Sequence, residues 1–309
     1  MSRLLTIGIT TRNRQTSLRA CLDSLGLVAD LVPEVLVFDD GSDPPVAEQI
    51  AEVANGVHVR VLTDASRHGY IAGRNLLVRE ASGEFVLLLD DDARLLTGEA
   101  IVRGVDVMRL DPRVGAVGFA QGEADGRPWP ASMQPSTANT AALVPSFIGF
   151  AHLVRRDVFL HLGGYREQLG FYGEEKDFCL RLLHRGWLTV YLPDALVAHV
   201  PDQASRDSRR YLRFVARNDC LNTLYNDPIT RAIWVLPARI ALYFRMRRAW
   251  KIHDPWGWAW LLRELTAQLP SALAQRDPVS RPTLAAWRSL RRIETAYAAP
   301  AATGAPDAR

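Results

Sequence analysis

The chain has 309 residues, 48% hydrophobic and 23% charged, which excludes a disordered or low-complexity protein and allows one large or two smaller cores. Three widely spaced cysteines, Cys21, Cys179 and Cys220, exclude a disulfide framework or a cysteine-rich zinc site and fit a reducing compartment. The net charge of +3 is unevenly spread: residues 201–309 carry 18 Lys/Arg against 9 Asp/Glu, a net +9, while the rest carries 19 against 25, a net −6, and holds only two of the eight Trp.

LLTIGIT (4–10) is a β-branched apolar run that predicts a first strand and ends in the polar TRNR. Its start, MSRLLTIGIT, lacks the apolar core and cleavage site of a secretory signal, and no apolar stretch reaches the roughly 18 residues that span a bilayer. The expected location is therefore the cytoplasm. Leu18, Cys21, Leu22 and Leu25 recur at helical spacing. EVLVF (34–38), VHVRVL (57–62) and EFVLLL (84–89) predict three more strands, with helices over 46–54 and 71–81 between them. Such a β-α-β-α-β-α-β order with non-alternating strands predicts an α/β fold: a mostly parallel, Rossmann-like central sheet flanked by helices. Ligands of such sheets bind beyond the carboxyl ends of the strands. TRNR, DDGS and DDD all fall there.

A helix over 98–110 and a strand at VGAVGF (114–119) follow, then a long Gly- and Pro-containing loop, 121–140. GGY (163–165) is a turn, 174–186 a helix and WLTVYL (187–192) a strand. Further helices are predicted over 207–225, 229–251 and 256–269. The resulting division is a catalytic domain over 1–205, with halves of about 1–120 and 121–205, a helical extension over 206–296 and a disordered tail over 297–309.

Three acidic clusters carry the chemistry. In FDDGS, Asp39 or Asp40 can accept hydrogen bonds from a nucleotide, or simply close an Asx turn. In FVLLLDDD, Asp90 and Asp92 stand at i, i+2, so extended backbone aims both to one side. Hard divalent cations take such oxygen ligands together with phosphates. Asp91 faces the other way and can hold the turn. In GEEKD, Glu174 and Glu175 open a helix, where acidic residues suit the macrodipole, yet they follow the aromatic, Gly-rich GGYREQLGFYG that fits a substrate-facing loop. A carboxylate there can act as a general base. Arg12, Arg74, Arg206 and Arg210 are candidates for pairing with a diphosphate.

The ordered set TRNR, DDGS, GRN, DDD, GGY, GEEKDFCLRL and a later His199 resembles the family 2 glycosyltransferases with the GT-A fold, over about residues 4–220. The resemblance implies an inverting, Mg²⁺- or Mn²⁺-dependent enzyme that uses a nucleotide-diphosphate sugar, UDP- or dTDP-linked, and a hydroxyl acceptor in a polysaccharide, a lipid-linked sugar or a small molecule. It implies donor contacts at Thr10, Arg12, Asp39, Asp40, Arg74, Asp90 and Asp91, metal ligation by Asp92, Asp90 and His199, and acceptor contacts at Gly164, Tyr165 and Trp187. Glu175 stands where the family often has Asp as the base, with Glu174 beside it. The alternative is a non-catalytic nucleotide-sugar-binding or scaffold protein of the same fold.

The basic, Trp-rich WVLPARIALYFRMRRAWKIHDPWGWAWLLREL fits either an amphipathic surface on an anionic membrane or helices packed on the core or on a second subunit. No recognition motif supports nucleic-acid binding.

Overall fold

The structure is a computed structural model and describes residues 3–31, 34–48, 50, 58–64, 66–201 and 207–300. The first apolar runs form β1 (Arg3–Thr11), β2 (Glu34–Asp39), β3 (Val59–Thr63) and β4 (Gly83–Asp90), with α1 (Gln15–Ser24) and α2 (Tyr70–Glu80) between them. All three pairings among these strands, β1 with β2, β1 with β4 and β2 with β3, are parallel, as expected for strands joined through helical crossovers. Of the helix expected over 46–54, a 3₁₀ turn at Val46–Glu48 is present, and most of the remainder lies outside the described residues.

Beyond β4 the chain forms β5 (Ala93–Leu95), α3 (Glu99–Leu110), β6 (Val114–Gly122), β7 (Ala142–Leu143), β8 (Ala151–Arg155), α4 (Arg156–His161), α5 (Glu174–His184) and β9 (Leu188–His199). Then come α6 (Ser208–Asn226), α7 (Ile229–Ala249), α8 (Gly257–Ala274), α9 (Arg281–Leu290) and β10 (Thr295–Ala296). The sheet order is β10-β7-β9-β6-β8-β4-β1-β2-β3, with β5 paired to β9. Parallel pairing links β1 to β4 in the first half and returns in the second between β6 and β9. β8 enters antiparallel between β4 and β6, and β5, β7 and β10 are antiparallel too, so the whole sheet is mixed.

Alternation along each strand divides the core. Val35 and Val37 of β2 and Phe85, Leu87 and Leu89 of β4 pack on one side with α1 and α3. Leu36, Phe38, Val86 and Leu88 pack on the other, against α2, α4, α5 and α6. Tyr243 of α7 and Leu261 of α8 join this second core, so the C-terminal helices extend it. Pairing of β6 with β9 steps from Phe119–Leu192 to Ala120–Leu196, leaving residues 193–195 as a bulge in β9.

α5 is locked by a charge. Asp177 is fully buried and receives Arg166 Nε at 3.1 Å, Arg181 Nε at 2.9 Å and Asn226 Nδ2 at 2.8 Å. Burial alone would raise its pKa, yet Arg181 and Arg166 hold the carboxyl below the usual range. Asp177→Ala strands two guanidiniums and should destabilise the protein by about 3–5 kcal/mol in urea unfolding. Because the folded pKa is depressed, the wild-type contribution is present above the ordinary carboxylate pKa of 3.8 and is lost as pH falls below it. The variant's stability should lack that acid dependence.

Candidate active site

β4 is buried through Leu89 and releases the three aspartates at the carboxyl edge of the sheet. Asp90 anchors its amide on the Phe150 carbonyl at 2.8 Å and keeps its side chain about one-third exposed. Asp91 turns inward, where its carboxylate accepts from Thr11 Oγ1 at 2.8 Å and pairs with Arg14 at 2.9 Å. Burial pushes it up to about 7 against the pull of Arg14. Asp92 gives Oδ2 to Arg14 at 2.8 Å, and its buried Oδ1 has no hydrogen-bond partner.

That oxygen lies 3.5 Å from His199 Nε2, at the end of β9. His199 donates Nδ1–H to Gln121 Oε1 at 2.7 Å, which leaves Nε2 as the lone-pair nitrogen facing Asp92. The imidazole is stacked between Trp129 and Phe150, at centroid distances of 5.3 and 4.8 Å. Ligand atoms of Asp90, Asp92 and His199 lie within 4.8 Å of one another. An orphaned carboxylate oxygen beside an imidazole whose far nitrogen is already fixed fits a divalent cation.

The second centre opens α5. Glu174 is fully buried. Its Oε1 accepts from Arg74 Nη1 at 3.0 Å, and its Oε2 accepts from the Tyr70 hydroxyl at 3.2 Å. Glu175 is half-buried beside it and comes so close to Gly149 that a Cβ there would lie 2.4 Å from its Oε1. Burial raises both carboxyls above the ordinary glutamate value, aided at Glu174 by the charge of Glu175 and opposed at both by Arg74.

Arg74 joins the two centres. Its Nη2 donates to Asp90 Oδ1 at 2.6 Å and to the Gly149 carbonyl at 2.7 Å. The same carbonyl accepts from His152 Nδ1 at 3.1 Å, and His152 Nε2 accepts from the Tyr165 hydroxyl at 2.6 Å. Burial keeps His152 neutral. Gly149 thus sits against Glu175, while its neighbour Phe150 covers His199.

Other expected residues have different surroundings. Asp39 is fully buried and caps the amides of Ser42 and Val46 at 2.9 and 3.0 Å, the Asx-turn arrangement rather than an open ligand contact. Asp40 accepts from the Gly69 amide, fixing the entry to α2. Thr10 is buried beneath α2, Arg12 is exposed beyond β1, and Arg210 lies over the Phe171 ring at 4.5 Å. Arg74, at 2% exposure, has no surface for a diphosphate, and both of its terminal nitrogens donate to protein acceptors. Arg206 lies outside the described residues. Nor do the three expected acceptor contacts face the open site. Tyr165 is in the core, the Gly164 carbonyl is held by Arg181 at 2.7 Å, and Trp187 precedes the start of β9, whose other end carries His199. Near the carboxylates it is Tyr172 that is exposed, with φ of 65°, its amide held by the Tyr70 hydroxyl and its carbonyl by Asn218. Sequence reading missed Arg14, Tyr70, Gln121, Trp129, Gly149 and Tyr172. Arg14, inside TRNR, and Tyr172, inside GGYREQLGFYG, stood in recognisable motifs; the others did not.

The sequence profile of glycosyl transferase family 2 matches residues 6–163, from β1 through α4. The chain belongs to glycosyl transferase family 2. This family 2 transferase is 28% identical over 238 residues to the N-acetylglucosaminyl-diphospho-decaprenol L-rhamnosyltransferase of Mycobacterium tuberculosis, across 64% of this chain and 76% of the relative. Its fold, of GT-A type, matches TarS 1–349 of S. aureus in complex with UDP-GlcNAc (TM-score 0.62, 17% identity, 93% of this chain and 87% of that one). It also matches mannosyltransferase PcManGT from Pyrobaculum calidifontis in complex with GDP-Man and Mn²⁺ (TM-score 0.56, 19% identity, 94% and 84%). Two longer neighbours, GalNAc-T7 and a longer TarS chain, are spanned over 48% and 40% of their own length.

Gly149 offers a geometric probe of this transferase. In Gly149→Ala the new methyl meets two side-chain ends and no backbone, Glu175 Oε1 at 2.4 Å and Arg74 Nη1 at 3.0 Å, so the fold should survive while the carboxylate, the closer of the two, shifts. Sugar transfer should fall by about 100-fold, the scale of a misplacement near 1 Å, with an unchanged circular dichroism spectrum. An unimpaired variant would show that Glu175 need not sit where it does.

Proposed function

We propose that this enzyme moves a sugar from a nucleotide-diphosphate donor to an acceptor hydroxyl with inversion, using Glu175 as general base. The observation that carries the reading is the pairing of two centres through one buried guanidinium: a cation-ready trio, Asp90, Asp92 and His199, and a carboxylate pair, Glu174 and Glu175. The Mn²⁺ and nucleotide sugars named for the structural neighbours support it, as does the glycosyl transfer named for the M. tuberculosis relative. That relative's diphospho-decaprenol acceptor also makes a lipid-linked sugar the leading acceptor class here, with a UDP- or dTDP-linked donor.

Asp92, His199 and Asp90 would hold Mg²⁺ or Mn²⁺, which supplies Lewis-acid neutralisation of a leaving diphosphate. Arg14 and Gln121 orient two of those ligands. Glu174 is fully buried with both oxygens engaged, by Arg74 and Tyr70, so the half-buried Glu175 beside it is the carboxylate better placed to meet an acceptor. Glu175 removes the hydroxyl proton as that oxygen attacks the anomeric carbon from the face opposite the departing diphosphate. Its raised pKa strengthens it as a base close to neutral pH.

A screen of UDP- and dTDP-sugars for cation-dependent nucleotide release tests the reading. Glu175→Gln should lower kcat by about 100-fold or more while donor affinity stays within a few-fold. Asp92→Ala should weaken Mn²⁺ binding, read by electron paramagnetic resonance. Full transfer by Glu175→Gln would reject the base assignment, and no turnover of any donor would favour the non-catalytic binding protein.

The pH profile gives a separate check. The base works deprotonated and its pKa is raised, so kcat/KM should fall on acidification through a value above the ordinary 4.5. An acid limb at or below 4.5 would contradict the buried setting of Glu175.

A further inference from the structure

The largest feature unused by this mechanism is the outer face of α7. Ile229, Ile233, Trp234, Pro237, Ala241 and Phe244 recur at helical spacing and are all exposed, with Trp234 at 80%. The stripe ends in exposed Arg245, Arg248 and Lys251, and at the corner before α8 stand Trp250, Trp256 and Trp258 at 45, 72 and 42% exposure. Lone exposed apolar residues are ordinary, but a continuous stripe of this length marks a docking surface.

Charge identifies the occupant. Residues 229–275 carry seven Lys/Arg against two Asp/Glu. Both acidic groups are already paired: Asp254, 2% exposed, is bonded to Arg213, and Glu264 pairs with Arg217. Apolar side chains ending in cations, with Trp beside them, suit the interface of an anionic lipid bilayer, where the rings sit at headgroup depth and the cations meet lipid charge. No helix among the described residues is long and apolar enough to cross a membrane.

We infer that α7 and the α7–α8 corner dock this protein onto the surface of an anionic bilayer. The face adjoins the site. Trp250 stacks on Tyr211 at 5.6 Å, Tyr211 meets Tyr172 edge-on at 4.7 Å, and the Tyr172 amide is held by the same Tyr70 hydroxyl that donates to Glu174. A docked enzyme thereby opens its carboxylates toward the headgroup layer, a consequence that rests on the transfer reading, whereas the docking itself does not.

Co-sedimentation of the full chain with vesicles tests the inference, using phosphatidylcholine alone or with about one-third phosphatidylglycerol. The wild type should sediment with the anionic vesicles only, and less so at high salt. Arg245→Glu and Arg248→Glu should each weaken binding by about fivefold or more. Trp234→Glu with Phe244→Glu should abolish it, while donor turnover with a soluble acceptor and the thermal unfolding midpoint stay unchanged, since these side chains are exposed. Wild type left in the supernatant, or the double variant binding as well as wild type, overturns the proposal. So does sedimentation equilibrium showing a dimer that the double variant dissolves while vesicles are ignored, because the face would then be an interface between copies of this chain.

Discussion

The site depends on one buried cation. Arg74 reaches from α2 into a space where a strand end, a helix start and the Gly149 turn converge, and it gives each an acceptor's share of one guanidinium. A planar fork can satisfy several oxygens at fixed angles, which a lysine cannot. Burying such a group gains little net stability, but removing it once the carboxylates are buried costs about 3–5 kcal/mol, a large part of a typical total. The arrangement therefore tolerates little change. Its return is geometric: Asp90 and Glu174 cannot drift apart without breaking a charge pair with Arg74.

The charge ledger around that cation is lopsided. Asp90, Asp91, Asp92, Glu174 and Glu175 face Arg74 and Arg14 alone among the charged partners found for them. The molecule answers the excess in two ways. Where water is excluded, at Asp91, Glu174 and Glu175, proton affinity rises. At Asp90 and Asp92, which share their corner with the imidazole of His199, the excess negative potential favours a cation.

Much of this was legible in the sequence, for identifiable reasons. β1, β2 and β4 are largely apolar runs, and a strand buried on both faces reads the same in sequence and in space. DDD and GEEKD were legible because a strand end and a helix start placed them, and His199 only through its place in the order of motifs. The reversal of β8 was not, since its direction is decided by the long loop before it and not by its composition. The surroundings of the expected acceptor residues were hidden for a related cause: only the three-dimensional packing reveals that Tyr165 is buried and bonded to His152. Partners of a site residue that come from distant loops, such as Gln121 and Trp129 around His199, leave no local pattern at all.

The bulge in β9 carries a consequence of parity. Between Phe119 and Ala120 the facing strand advances by four residues where a regular ladder would advance by one, so three residues are surplus. Three is odd, and every side chain downstream is exchanged between the two faces of the sheet. His199 lies downstream. Its emergence beside Asp92 is therefore set by how many residues the bulge holds, more than by which residues they are. Gaining or losing one residue among 193–195 would break up the Asp90, Asp92 and His199 trio as surely as replacing His199, without touching any of its three members.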